Sequence, residues 1–123
     1  SDLEADQQLN LKKEGIFPLV HGVRSLALAH RITETGTAAR IAALVSKDVL
    51  QAEAAADLTD SLHFFMGLKL KAGLAELETG KPVTGAVNVA RLSSLDRDLL
   101  KDTLAAVKRF KALLRQRFHL DAM

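Results

Sequence analysis

Apolar residues recur at spacings of three and four along most of the chain, and the strict alternation of a half-buried strand is nearly absent. Pro18 stands where a first-turn proline is tolerated, and Leu19, Val20, Val23, Leu26, Ala27 and Ile32 follow it at helical spacing. That predicts a first helix over about 17–31. Residues 33–36 form a turn by composition, with Gly36 able to take a positive φ, and a shorter helix over 38–46 should bury Ile41, Leu44 and Val45. From about 51 to 79 nothing stronger than two glycines interrupts a run rich in Ala, Leu, Glu and Lys. Leu58, Leu62, Phe65, Met66, Leu70, Leu74 and Leu77 give it one apolar stripe, the mark of a single helix about 40 Å long at ~1.5 Å per residue.

Gly80 followed by Pro82 stops that helix. A connection over 81–92 is longer than the two to eight residues usual in a bundle. Ser93 or Ser94 then caps a final helix running to about residue 118, and Asp96 and Asp98 in its first turn complement the helix dipole. Four main helices, two of them long, enclose one core by packing near antiparallel. The expected fold is all-α, a helical bundle of about four main helices. Its two longest members should pack through Leu62, Phe65, Met66, Leu70, Phe110 and Leu114.

Composition narrows the function classes. The 123 residues suit one domain; residues 1–9 read as a lead-in and 10–123 as a single helical unit. No stretch approaches the ~20 apolar residues of a spanning helix, and the acidic start lacks the basic region and apolar run of a secretory signal. Cytoplasm is the default compartment. With no cysteine, disulfides, thiol nucleophiles and thiolate metal sites are excluded. The four histidines, at 21, 30, 63 and 119, include no i, i+4 pair, so a metal site has no support.

The formal charge of +2 is unevenly spread: residues 1–62 carry six basic and nine acidic side chains, residues 63–123 eleven and six. An anion-binding surface is therefore sought in the second half. There, Arg97, Lys101, Lys108, Lys111 and Arg115 fall in one sector of the last helix, with Leu99, Thr103, Val107, Phe110, Leu114 and Phe118 opposite. This stripe is either a solvated face or a surface for a phosphate-bearing ligand or an acidic neighbouring domain. On the first helix His21 and Arg24 share a face, with Arg31 further along it, and they serve either an anionic ligand or a structural ion pair. Gly22 between them permits close approach of another helix. A nucleic-acid partner is disfavoured by the small net charge and by five Phe with no Trp or Tyr.

The stretch LNLKKEGIFPLVHGVRSLALAHRI, a threonine-containing turn, VARLSSLDRDLLKDTLAAV and a basic tail ending in RQRF together resemble the substrate-binding domain family of bacterial nucleotidyltransferases. The resemblance runs from about residue 10 to 118. It implies a four-helix bundle similar to the C-terminal domain of kanamycin nucleotidyltransferase and distant kinship to the uridylyltransferase of the nitrogen regulator PII. It also implies an adjacent catalytic domain in cis, and companion modules of the cystathionine-β-synthase (CBS) and cyclic-nucleotide-binding types. Mg²⁺ and a nucleoside triphosphate would belong to that catalytic domain; this chain would hold no cofactor.

Nucleotidyl transfer needs two carboxylates on one face to hold Mg²⁺. Asp96 and Asp98 are two apart on a helix, diverge by about 200°, and have no Gly-Ser turn upstream, so the chain has no catalytic residue of its own. Through HGVR and DRDLLK the resemblance implies that His21, Arg24, Arg97 and Lys101 face the active site as substrate-binding residues, beside the basic surface of Lys108, Lys111 and Arg115. The expected function is a non-catalytic substrate-binding domain. The alternative is a helical interaction or dimerisation module without a ligand of its own, a homodimer included.

Overall fold

The structure, a computed structural model, describes residues 8–118. Most of the lead-in expected over 1–9, and His119, lie outside the described residues. In chain order the elements are strand β1 (Gln8–Asn10), a π-helical turn (Lys12–Ile16), α1 (Phe17–Ala29), α2 (Thr37–Ser46), α3 (Ala52–Glu78), β2 (Ala86–Asn88), a 3₁₀ turn (Val89–Arg91) and α4 (Ser94–Phe118). The fold is an all-α helical bundle carrying one small antiparallel ribbon.

Helix ends follow local chemistry. Ser93 Oγ accepts from Asp96 N at 3.0 Å, which makes Ser93 the cap of α4. α3 ends at Gly80, φ +73, where Lys81 N reaches back to Glu76 O at 2.9 Å. The turn after α1 differs from expectation: Arg31 takes the left-handed conformation, φ 56, and Gly36 is extended, φ −88, at the start of α2. Ile32 N donates to Ala27 O at 2.9 Å, and Ile32 is itself buried. Closing the end of α1 and burying Ile32 offset the ~1–2 kcal/mol cost of a left-handed non-glycine residue.

Two clusters form the interior. In the first, Leu19, Val23 and Leu26 of α1 meet Ile41 and Leu44 of α2, Leu58 of α3 and Phe110 of α4. In the second, Leu9 and Leu11 meet Phe65 and Leu68 of α3, Val87 and Val89, and Leu100 and Val107 of α4. The ribbon builds the second: Leu9 pairs with Val87, flanked by Gln8 with Asn88 and Asn10 with Ala86, so both apolar residues face α3 and α4. The connection 81–92 is thereby a structural wall. Leu9, the last apolar residue of the expected lead-in, is buried in the second cluster.

Glycines set two close approaches. A Cβ at Gly22 would lie 2.6 Å from Leu114 Cδ1 and 2.7 Å from Phe110 Cε2, which seats α1 directly on α4. A Cβ at Gly15 would lie 2.5 Å from Phe65 Cζ, so the π-helical turn rests on that ring.

The α3 stripe is corrected. Phe65 is 0% exposed, but Met66 is 51%, Leu70 65%, Leu74 51% and Leu77 64% exposed. The packed face of α3 runs instead through Ala55, Leu58, Ser61, Phe65 and Leu68. The cause is length. α2, which packs on α3, has 10 residues against its 27 and meets its first half through Ile41, Leu44, Ala55 and Leu58, so α4, the ribbon and the π-helical turn are left to cover one side of the rest. Leu99 of α4 is likewise exposed, and Leu100 takes the inward place because the ribbon approaches α4 from that side.

A basic groove as candidate functional site

The basic face of α4 is one wall of a groove whose other wall is β1 and the π-helical turn. Lys101, Lys108, Lys111 and Arg115 come from α4, because steps of seven, three and four residues return to nearly the same helical direction. Lys13 comes from the opposite wall, where Asn10 Oδ1 accepts from Lys13 N at 3.0 Å and fixes the start of the turn. Leu104 and Val107 form an apolar floor. The groove encloses about 1060 Å³, and Glu14 is the acidic residue in its lining.

Lys13, Lys101 and Lys108 are exposed and Lys111 is half-buried. None of these four ammonium groups makes a hydrogen bond or ion pair with another described residue. Like charges sharing one concave surface raise the local potential and concentrate anions. Three lysines and two arginines along one helix, Arg109 and Arg115 among them, faced by a fourth lysine, suit phosphate oxygens, which each take several donors.

The other sequence-marked residues lie elsewhere. Arg97 is half-buried: its Nη2 points at the carbonyls of Ala90 and Leu92, both at 3.4 Å, and its Nε is buried without a partner. It is turned onto the connection that precedes α4. His21 is exposed and stacks on Phe17, with ring centroids 5.3 Å apart and planes 8° from parallel. Arg24 is exposed and makes no described side-chain contact of polar kind. Because Gly22 sits on Phe110 and Leu114, His21 and Arg24 lie beside the later half of α4, three to four turns from Arg97, or about 20 Å at 1.5 Å per residue. The structure therefore brings Lys101 together with Lys108, Lys111 and Arg115, and does not bring His21 and Arg24 together with Arg97. Arg117 of the basic tail donates to Val49 O at 2.8 Å and ties α4 to the turn before α3.

Asp96 and Asp98 open α4, and Asp96 Oδ2 pairs with Lys71 Nζ of α3 at 3.2 Å. Among the described residues no group of three or more His, Asp or Glu side chains is placed to hold a metal ion, and no helix is long and apolar enough to cross a membrane.

Lys13 was not singled out from sequence. Its signal was the polar and apolar alternation of Gln8, Leu9, Asn10 and Leu11, matched by Val87, Asn88 and Val89, which marks two short strands able to pair and so to carry the first residues to α4.

No curated protein and no solved structure matches the chain. A family model does match, over residues 1–118, that of a putative nucleotidyltransferase substrate binding domain. The chain belongs to the putative nucleotidyltransferase substrate binding domain family.

Proposed function

We propose that this domain is the non-catalytic accessory part of a bacterial nucleotidyltransferase, packed in cis against the catalytic domain, and that the basic groove receives the phosphate-bearing part of the molecule being modified. The groove carries the reading: four lysines on two facing walls, with no polar partner for their ammonium groups among the described residues and one acid in the lining, form a surface suited to an anionic ligand. In this reading Mg²⁺ and the nucleoside triphosphate belong to the catalytic domain, Asp96 and Asp98 do no chemistry, and His21 and Arg24 flank a separate contact with that domain. CBS and cyclic-nucleotide-binding modules and a cytoplasmic setting accompany it.

The test uses inorganic tripolyphosphate as probe, titrated calorimetrically into the chain at two salt concentrations. Binding should weaken steeply with salt, and Lys108→Glu with Lys111→Glu should reduce it more than tenfold without lowering the melting temperature. Absence of binding, or binding indifferent to those substitutions, overturns the reading.

One observation favours a second reading, an interaction or dimerisation module. Met66, Leu70, Leu74 and Leu77 form a bare apolar stripe on α3. If the chain sediments as a dimer that Leu70→Glu with Leu74→Glu dissociates, and tripolyphosphate does not bind, this reading replaces the first.

A further inference from the structure

The second half of α3, β2 and the turn before α4 enclose a cleft of about 460 Å³, within the size range of small-molecule sites. We infer that this cleft is a distinct ligand site, taking a small organic monophosphate that carries an N–H donor, of the size of a nucleoside monophosphate. It stands independently of the basic groove, with which it shares Gln8 of β1.

Three features define the ligand. The floor is apolar: Leu68 and Val87 are buried, Ala72 and Leu92 half-buried, and together they seat a flat, weakly polar body. At the rim stand Lys71, Lys81 and Arg91, all exposed. Lys71 is already paired with Asp96, whereas the side chains of Lys81 and Arg91 make no hydrogen bond or ion pair among the described residues. A forked guanidinium beside an ammonium suits a phosphate monoester.

The third feature is Glu76. Its Oε2 accepts from Thr84 N at 3.2 Å and from Thr84 Oγ1 at 3.0 Å, which holds the carboxylate in the wall of the cleft. Its Oε1 is shielded from water and has no donor. A buried acceptor left unpaired is costly, and an N–H on a molecule in the cleft supplies what the fold does not. Asn88 adds a second polar contact, since its Oδ1 is used by Ala90 N and its amide N–H groups have no described partner.

These features select by exclusion as well as by fit. A bare polyphosphate brings no donor for Glu76 and meets its negative charge. A neutral nucleoside brings no charge for Lys81 and Arg91 and so gains nothing from them. A molecule with a base-like N–H edge and one phosphate satisfies both ends.

The experiment titrates GMP, ribose 5-phosphate and guanosine into the whole chain, by calorimetry and by ¹H–¹⁵N NMR. GMP should bind at least tenfold more tightly than either fragment and shift the amides of Val87, Asn88 and Arg91. Lys81→Ala and Arg91→Ala, at exposed positions, should each weaken GMP about ten- to a hundredfold with unchanged melting. Glu76→Gln should weaken GMP but leave ribose 5-phosphate unaffected, and Lys108→Ala with Lys111→Ala should weaken tripolyphosphate while leaving the GMP-induced shifts of Val87, Asn88 and Arg91 in place. The inference is overturned if GMP does not bind, if ribose 5-phosphate binds as well as GMP, if the shifted amides lie away from β2, or if the lysines of α4 rather than Lys81 and Arg91 govern GMP affinity. The last outcome would leave the groove reading intact, and loss of tripolyphosphate binding alone would leave this one intact.

Discussion

One chemical change, glycine to alanine, should have opposite effects at three positions, and the sign is set by what surrounds each Cα. Gly67 is exposed in the middle of α3, and a Cβ there would meet nothing within 4 Å. Only the helix-propensity term operates, so Gly67→Ala should stabilise by about 0.5–1 kcal/mol. Gly22 is also interior to a helix and gains the same amount, but its new Cβ would stand 2.6 Å from Leu114 Cδ1 and 2.7 Å from Phe110 Cε2. Leu114 is half-buried and its methyl can swing aside, whereas the Phe110 ring is buried in the first cluster. Overpacking of this kind costs about 1–3 kcal/mol, so Gly22→Ala should come out neutral to about 2.5 kcal/mol destabilising.

Gly15 is the severe case, because the contacts at 2.5, 2.7 and 2.8 Å all fall on the Phe65 ring, which is fully buried between the π-helical turn, α4 and the ribbon. Ordinary carbon contacts lie at about 3.5–4.0 Å. The ring must move by about 1 Å in a packed cluster, and Gly15→Ala should lose about 1–3 kcal/mol with no compensating gain from an α-helical interior. For a chain of this length 1 kcal/mol moves the melting temperature by roughly 3–6 °C. Far-UV circular dichroism melts and urea titrations give the order, since the chain has no Trp or Tyr to follow by fluorescence. The reasoning is refuted if Gly15→Ala melts at or above the parent, or if Gly67→Ala melts below it.

Neighbouring residues on α3 should likewise separate: Phe65→Ala should cost about 3–5 kcal/mol in urea titrations, and Met66→Ala less than about 0.5 kcal/mol. Ser93→Ala removes the cap of α4 and should lower stability by about 0.5–2 kcal/mol, read by the same titration, while Ser94→Ala should not. Lys71→Ala should shift stability by less than about 0.5 kcal/mol, because Lys71 is 72% exposed in its pair with Asp96. Incubated with labelled nucleoside triphosphates and Mg²⁺, the chain alone should transfer no nucleotide; turnover abolished by Asp96→Asn would restore a catalytic role to the start of α4.

The helices were legible because their causes are local. Periodicity, a first-turn proline, a serine cap and the Gly80 stop act within a turn or two of the residues they govern, and α1, α2, α3 and α4 begin and end close to the expected positions. The basic sector of α4 was legible for the same reason, since 100° per residue is a property of the helix alone. The family motifs were also readable, and they agree with the family model that spans residues 1–118.

What faces what is a property of the whole chain. The sequence placed Met66, Leu70, Leu74 and Leu77 on one apolar stripe, but burial needs a partner of matching length, and α2 is too short to reach it. His21, Arg24 and Arg97 each occupy a recognisable helical face, yet only the seating of Gly22 on Phe110 and Leu114 decides that the two arginines lie far apart. The groove and the cleft were invisible for a related reason. Each has one wall from α3 or α4 and another from a three-residue strand, and pairing Gln8–Asn10 with Ala86–Asn88 across most of the chain is settled by the burial of Leu9 and Val87 against Phe65, Leu68 and Leu100. Helical periodicity determined which residues could act together along one element; long-range packing of two short strands decided which elements would meet.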